Sequence, residues 1–89
     1  MIELVSILIP AYRAQAVVAD TIRSASAQTW PRTEIIVVDD GSPDETHEVA
    51  KRFESQRVKV IRQQNGGAPS ARNTAYGLAQ GGIHSVAGR

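Results

Sequence analysis

The sequence contains no cysteine and no marked excess of charge of either sign, since its formal net charge is +1. Without cysteine, disulfide bonds and thiolate metal sites are excluded, and a reducing compartment fits, so we expect a cytoplasmic protein. The charge balance gives no reason to expect binding to nucleic acid or to an anionic membrane surface. A length of 89 residues with ordinary apolar content suits one small globular domain.

Long hydrophobic runs are missing as well. The apolar run "LVSILIP", residues 4–10, is far shorter than the about 20 residues that a transmembrane helix needs. An acidic residue, Glu3, precedes this run where a signal peptide carries basic residues. We therefore predict neither a transmembrane segment nor a signal peptide.

Several common ligand-binding motifs are also absent. The segment after the first apolar run reads "PAYRAQ", where a dinucleotide fingerprint needs G-x-G-x-x-G, and no G-x-x-x-x-G-K-[ST] phosphate loop occurs. Asp40, Ser42 and Asp44 have the 1-3-5 spacing of a calcium loop, but Glu45 stands where that loop needs glycine. The sequence therefore matches neither a dinucleotide-binding Rossmann protein, nor a P-loop NTPase, nor an EF-hand protein.

What the sequence does contain is an alternation of strand and helix patterns. Apolar runs rich in valine and isoleucine predict buried strands at Leu4–Ile9 and Ile35–Val38, and a more exposed edge strand at Val58–Ile61. Helical spacing predicts helices over residues 16–28 and 68–80. The order predicts an α/β fold, a Rossmann-like parallel sheet with three strands and three helices.

The remaining helix is predicted to start within "SPDE". Ser42 suits the N-cap, Pro43 the first helical position, and Glu45 completes a capping box with Ser42. The preceding helix, with Val18 and Ile22 on its apolar face, is predicted to end at "TWPRT", where a proline breaks it.

The candidate functional residues lie at the predicted carboxyl ends of the strands, where ligands bind in open α/β sheets. Adjacent carboxylates such as Asp39 and Asp40 repel each other and are costly unless they are hydrogen-bonded or liganded. A buried carboxylate can accept the ring N–H of uracil, and an aromatic face such as Tyr12 can stack on a base. A diphosphate needs cations or helix N-terminal donors, and Arg72 lies early in the third predicted helix.

Four stretches carry a resemblance to a known family: "VSILIPAY", "EIIVVDDGSPDET", "VKVIRQQNGGAPSARN" and "AYGLAQG". From about Val5 to Gly81, the sequence resembles the N-terminal, nucleotide-binding half of family 2 inverting glycosyltransferases, which have the GT-A fold. The resemblance implies a nucleoside diphosphate sugar as substrate, UDP- or dTDP-linked, and Mg²⁺ or Mn²⁺ as cofactor.

The resemblance also implies roles for individual residues. Pro10, Ala11 and Tyr12 would line the base pocket. Asp40 would accept a hydrogen bond from the base, with Asp39 beside it orienting the loop or the ribose. The contact to the base or the diphosphate would come from Arg72, in "ARN". No catalytic residue and no metal ligand is predicted within this chain.

Two departures from the family pattern affect these expectations. Arg13 stands where the family often has asparagine. After "LAQG" the family continues into a fourth strand with an Asp-x-Asp metal site, whereas this sequence reads "GIHSVAGR". We therefore predict a partial nucleotide-sugar-binding subdomain at residues 1–82 and an irregular tail at residues 83–89. The first strand would then keep an unpaired edge, which predicts that the chain is marginally stable or relies on self-association.

Two functions remain open from the sequence. The first is the donor-binding part of a glycosyltransferase, in a chain that is a fragment lacking the metal and catalytic-base residues. The second is a non-catalytic remnant or interaction module that keeps the fold and a weak affinity for nucleotides.

Overall fold

The computed structural model describes residues 4–27 and 32–85 of the chain. Within them the elements alternate strictly between strand and helix. Their order is β1 (Leu4–Ala11), α1 (Val18–Ser26), β2 (Arg32–Asp39), α2 (Thr46–Lys51), β3 (Val58–Arg62), α3 (Ala68–Leu78) and β4 (Gly82–Ser85). All pairings between the strands are parallel, in the order β3-β2-β1-β4. The predicted α/β parallel sheet is confirmed, with β3 at an edge as its alternating pattern indicated.

The central strands β1 and β2 are buried on both faces, because successive side chains point to opposite sides of a sheet. On one face, Ile7 and Val37 pack with α1 and α2. On the other face, Leu8 and Ile36 pack against Ala71 of α3. This burial explains why both strands read as near-continuous apolar runs. Their carboxyl ends are held at one edge of the sheet, where the candidate residues lie.

The segment after α3 corrects one prediction. Gly82–Ser85 forms β4, which pairs with β1 in a register that sets Val5 opposite Gly82 and Leu8 opposite Ser85. The prediction of an irregular tail is therefore wrong for residues 83–85, and the predicted unpaired edge of β1 is wrong as well. Residues 86–89 of the predicted tail lie outside the described residues. The domain limits and self-association stay predictions. The unpaired edge of β1 no longer supports self-association, because β4 pairs with it.

A buried polar pair explains why this short segment pairs with β1. Glu34 Oε2 accepts hydrogen bonds from Ser6 Oγ at 2.6 Å and from the backbone N–H of Gln80 at 2.7 Å. The Ser6 hydroxyl in turn accepts the N–H of Gly81 at 2.9 Å. These bonds direct the chain along β1, whose edge N–H and C=O groups then find partners. The segment "GIHS" has a single β-branched apolar residue and a glycine, so it lacks the apolar run that predicted the other strands.

The charge state of Glu34 suits its role as the hydrogen-bond acceptor for Ser6 and Gln80. Burial raises the pKa of Glu34, but hydrogen bonds from Ser6 and Gln80 and the nearby charge of Lys59 more than offset this and hold the pKa below its ordinary value. The Lys59 Nζ lies 3.5 Å from Glu34 Oε1. The carboxylate therefore stays charged at neutral pH, the form that accepts all of these hydrogen bonds.

The start of α2 differs from the prediction. The helix begins at Thr46, with Glu45 as the N-cap residue and no capping hydrogen bond from its side chain. Ser42 does not act as the N-cap, because its buried hydroxyl accepts a hydrogen bond from the N–H of Arg13 instead. Asp44 Oδ1 accepts the N–H of Thr46 at 3.0 Å and so meets one of the donors at the helix start. Ser42 thus makes a tertiary contact, and Asp44 accepts the helix N–H in its place.

The first helix is shorter than predicted, since α1 spans Val18–Ser26, although Val18 and Ile22 are buried as expected. The end of the predicted helix at Gln28 and its proposed breaker, Pro31, lie outside the described residues. In the described part of the chain no helix is both long and apolar enough to span a membrane.

Candidate functional site

Three loops meet at the carboxyl edge of the sheet. They follow β1 (residues 12–17), β2 (residues 40–45) and β3 (residues 63–67). Backbone hydrogen bonds extend the sheet into these loops, from Asp40 N to Ala11 O at 2.8 Å and from Gln63 N to Asp39 O at 2.9 Å. The loops are therefore held side by side, and the paired aspartates lie between the other two.

Asp40 is the hydrogen-bonding centre of this edge. Its side chain is almost wholly buried, with 3% of its surface exposed. Oδ1 accepts hydrogen bonds from Gln63 Nε2 at 2.8 Å and Gly66 N at 2.9 Å. Oδ2 accepts one from Gly67 N at 2.9 Å and a longer one from Asn65 Nδ2 at 3.3 Å. All four acceptor positions of the carboxylate are thus occupied by the loop after β3.

These contacts determine the charge of Asp40. Burial raises the pKa of this carboxyl, but the hydrogen bonds from Gln63, Gly66 and Gly67 outweigh burial and hold the pKa below its ordinary value. Two of the donors are consecutive backbone N–H groups at the start of α3, which form an anion-binding concavity. Asp40 already fills this concavity with its own negative charge.

A second layer of hydrogen bonds supports the loop after β3. The Gln63 side chain donates to Ser70 Oγ at 3.3 Å as well as to Asp40. Its oxygen accepts a hydrogen bond from Thr74 Oγ1 at 2.5 Å. Because the amide is held at both ends, its NH₂ group faces Asp40. The amide therefore has one orientation that satisfies all its partners.

Asp39 points to the opposite side of the sheet. It is fully buried, and its Oδ1 accepts the N–H of Ser42 at 3.2 Å. Its Oδ2 forms an ion pair with Arg62 Nε at 3.4 Å, but has no hydrogen-bond partner in the described structure. Arg62 also donates to Ser42 O at 3.0 Å. The strand pleat thus separates the two carboxylates, and each has its own set of partners.

The loop after β1 is anchored to the loop after β2. Arg13 N donates to Ser42 Oγ at 2.9 Å, and Ala14 N donates to Thr46 Oγ1 at 2.8 Å. Both hydroxyls are fully buried, so their positions are restricted by the surrounding structure. The Tyr12 ring is 39% exposed and lies 5.5 Å from the guanidinium carbon of Arg13. The loop therefore presents an aromatic face and a cation at the surface.

The structure brings together most of the residues singled out from the sequence. Pro10 and Ala11 are buried at the end of β1, beside Asp39 and Asp40. Arg72 is exposed in the second turn of α3. Sequence reading missed that the loop after β3 binds Asp40, and the signal available for this was the "QQNGG" segment between a strand and a helix. Its glycines free two backbone N–H groups to approach one carboxylate closely.

The described residues do not fit a divalent metal ion. Within residues 4–27 and 32–85, no three histidine, cysteine or acidic side chains lie close enough together to hold one. Asp40 accepts hydrogen bonds from the loop after β3 at both of its oxygens, and Asp39 is paired with Arg62. The implied Mg²⁺ or Mn²⁺ therefore has no ligand set in this part of the chain.

Comparison with known proteins identifies the family. Residues 6–85 match the model of glycosyl transferase family 2, so the chain belongs to this family. It is 43% identical over 83 residues to the uncharacterized glycosyltransferase EpsJ of Bacillus subtilis, covering 91% of this chain and 24% of EpsJ. The chain thus spans about a quarter of the length of that relative.

Two solved structures show the same fold. One is a mannosyltransferase from Pyrobaculum calidifontis, in complex with GDP-Man and Mn²⁺, with a TM-score of 0.82 and 25% identity over 91% of this chain. The other is S. aureus TarS in complex with UDP-GlcNAc, with a TM-score of 0.82 and 28% identity over 93% of this chain. This chain covers 26% of each of them. The GT-A fold expected from the resemblance is confirmed.

Proposed function

We propose that this chain forms the donor-binding part of a glycosyltransferase that takes a nucleoside diphosphate sugar, UDP- or dTDP-linked, and transfers the sugar to an acceptor. The observation that carries the proposal is the ionised, buried Asp40, held between the loops after β1 and β3 at the carboxyl edge of the sheet. Family membership supports it, and so do the nucleotide sugars bound by the two solved relatives.

Asp40 is the group that reads the base in this proposal. Its weakest contact is the 3.3 Å bond from Asn65 Nδ2, an amide that also donates to the backbone oxygen of Asp40 at 3.0 Å. A ring N–H of a base can replace this bond while Asn65 keeps its backbone contact. Uracil, thymine and guanine carry a ring N–H, whereas cytosine and adenine do not. We therefore expect UDP and dTDP to bind more tightly than CDP and ADP.

The neighbouring residues complete the pocket. Pro10 and Ala11 form its wall at the end of β1, and the exposed ring of Tyr12 stacks on the base. Asp39 orients the loop after β2 through its hydrogen bond from Ser42 N. Arg72 supplies a positive charge for the diphosphate. In this arrangement the nucleotide lies across the edge of the sheet.

Catalysis needs more than these residues supply. The leaving diphosphate has to be neutralised, and the acceptor hydroxyl needs a general base. We assign neither role to Asp39 or Asp40, because hydrogen bonds and an ion pair within the chain already occupy both. The second candidate is a non-catalytic module that keeps the fold and a nucleotide affinity. Both candidates predict nucleotide binding.

The proposed nucleotide binding is tested by replacing the two exposed side chains that would contact the nucleotide. Tyr12→Ala and Arg72→Ala are each expected to weaken UDP binding about tenfold, since a stacked base or a charge-assisted hydrogen bond contributes on the order of 1.5 kcal/mol. Both side chains are exposed, so the fold should keep its stability. Isothermal titration calorimetry with UDP, dTDP, CDP and ADP gives the affinities.

Matched controls separate binding from general surface effects. Tyr76 is 46% exposed on α3 and Arg52 is exposed after α2, so Tyr76→Ala and Arg52→Ala should leave UDP affinity unchanged. If the unaltered chain binds none of the nucleotides, the proposed function is wrong. If it binds CDP as well as UDP, the assignment of Asp40 as the base reader is wrong.

A further inference from the structure

Arg13 has an unusual backbone conformation. Its φ is 51°, and it is the one residue other than glycine with a positive φ in the described part of the chain. The left-handed region is unfavourable for a residue with a long side chain, while asparagine and glycine adopt it readily. Strained residues persist where the surrounding structure holds them, and they concentrate at functional sites. The positive φ of Arg13 therefore marks its side chain as a candidate functional group.

Two buried hydroxyls hold the strained residue in place. The Arg13 N–H donates to Ser42 Oγ, and the next N–H, of Ala14, donates to Thr46 Oγ1. Ser42 and Thr46 are both fully buried. The backbone is thus fixed on both sides of the Arg13 side chain, and the side chain starts from a defined position next to the loop after β2.

The guanidinium group itself is available for a ligand. It lies 5.5 Å from the centre of the Tyr12 ring, within the range of a cation–π contact. No carboxylate in the described residues forms an ion pair with it, whereas Arg62 nearby is paired with Asp39. A cation–π contact does not use the N–H donors of the guanidinium in hydrogen bonds, so they can bind an anion.

We propose that Arg13 binds a phosphate group of the nucleotide, and so determines the preference of the site for di- over monophosphates. This inference rests on the proposed function. It places a second cation at the pocket, on the loop leading to α1, while Arg72 lies on α3 across the sheet. The N–H groups of Gly66 and Gly67, just before α3, already donate to Asp40, so we expect a side chain to supply the positive charge. Tyr12 would then have the base on one face and Arg13 on the other.

The test compares Arg13→Asn with the unaltered chain. Asparagine tolerates a positive φ, so the variant keeps the backbone and removes only the cation. We expect the affinity for UDP to fall about tenfold, the affinity for UMP to fall less, and the affinity for uridine to stay unchanged. Arg13→Lys should recover part of the loss. The control is Arg52→Asn, which removes the same charge from an exposed position after α2.

Salt dependence gives an independent readout. If Arg13 contacts a phosphate, UDP binding by Arg13→Asn should weaken less steeply with added salt than binding by the unaltered chain. Equal losses for uridine and UDP, or unchanged UDP affinity, would overturn the role of Arg13 and leave the proposed function intact. If the unaltered chain binds no nucleotide at all, both proposals fall together. Inorganic pyrophosphate, tested alone, shows whether Arg13 binds diphosphate without the base.

Discussion

Replacing Asp40 by asparagine is expected to lower the free energy of unfolding by about 3 kcal/mol. The carboxylate accepts hydrogen bonds from Gln63, Gly66 and Gly67, all from the loop after β3. An amide at this position turns one acceptor into a donor, which then faces another N–H. One buried donor loses its partner, and the loss is a large part of the stability of a small domain. Urea denaturation measures the change.

A matched aspartate separates this effect from the loss of a charge. Asp20 pairs with Arg23 at 3.2 Å on the exposed side of α1. Because exposed ion pairs contribute little, Asp20→Asn should change the free energy of unfolding by less than about 0.5 kcal/mol. If Asp40→Asn has an effect as small as that of Asp20→Asn, Asp40 does not anchor the loop after β3.

The pH dependence of this difference has a definite sign. The pKa of Asp40 is below its ordinary value of 3.8 in the folded chain. Its stabilising contribution is therefore fully present above the unfolded-state pKa, and it is lost as the pH falls through the lower, folded-state pKa. The stability gap between the unaltered chain and Asp40→Asn should narrow on acidification in that range. Comparing the two variants cancels the contribution of Glu34, whose pKa is lowered too.

Replacing Gly81 by alanine is expected to cost about 3 kcal/mol and to release β4 from the sheet. A Cβ at Gly81 would lie 2.3 Å from the backbone oxygen of Leu4 and 2.7 Å from its carbonyl carbon. Both are backbone atoms of β1, so they cannot move aside as a flexible side chain does. The clash also pushes the N–H of Gly81 away from Ser6 Oγ. Hydrogen exchange at the backbone amides of β1 and β4 reports the release.

Gly77 provides the matched control. A Cβ there meets no atom within 4 Å other than those of its own helix backbone and chain neighbours, and the residue lies in the last turn of α3. Gly77→Ala should stabilise the chain by about 0.5–1 kcal/mol, because alanine favours the helix. Unchanged stability and exchange protection in Gly81→Ala would contradict the close approach between the turn at Gly81 and β1.

The parts of the fold that the sequence predicted are those where burial dominates. The runs at residues 4–9 and 35–38 are strongly apolar, since both faces of these strands are covered, and few elements other than a central parallel strand produce that pattern. The placement of Asp39 and Asp40 at the carboxyl edge followed from the parallel topology. The predictions that were wrong concern features that depend on tertiary hydrogen bonds. Ser42 has every local property of an N-cap, yet its hydroxyl accepts from a residue 29 positions away in the chain.

Long-range hydrogen bonds also explain why the sequence did not predict the fourth strand or the partners of Asp40. The fourth strand depends on Glu34 and Ser6, whose buried contacts reach Gln80 and Gly81 across 46 and 75 positions of sequence. No local pattern predicts such contacts. The repulsion between Asp39 and Asp40 correctly indicated that each needs partners. The sequence left the partners of Asp40 open, and the structure finds them within the chain.

We expect a nucleoside diphosphate to bind at the carboxyl edge of the sheet, against Asp40. The most direct measurement is a titration of the ¹⁵N-labelled chain with UDP, followed by two-dimensional NMR. We expect the amide signals of Tyr12, Arg13, Gly66 and Gly67 to shift together and to saturate with one affinity. The last two amides donate to Asp40 and so report on its carboxylate. Saturable shifts confined to the opposite edge of the sheet, or no shifts at all, would contradict it.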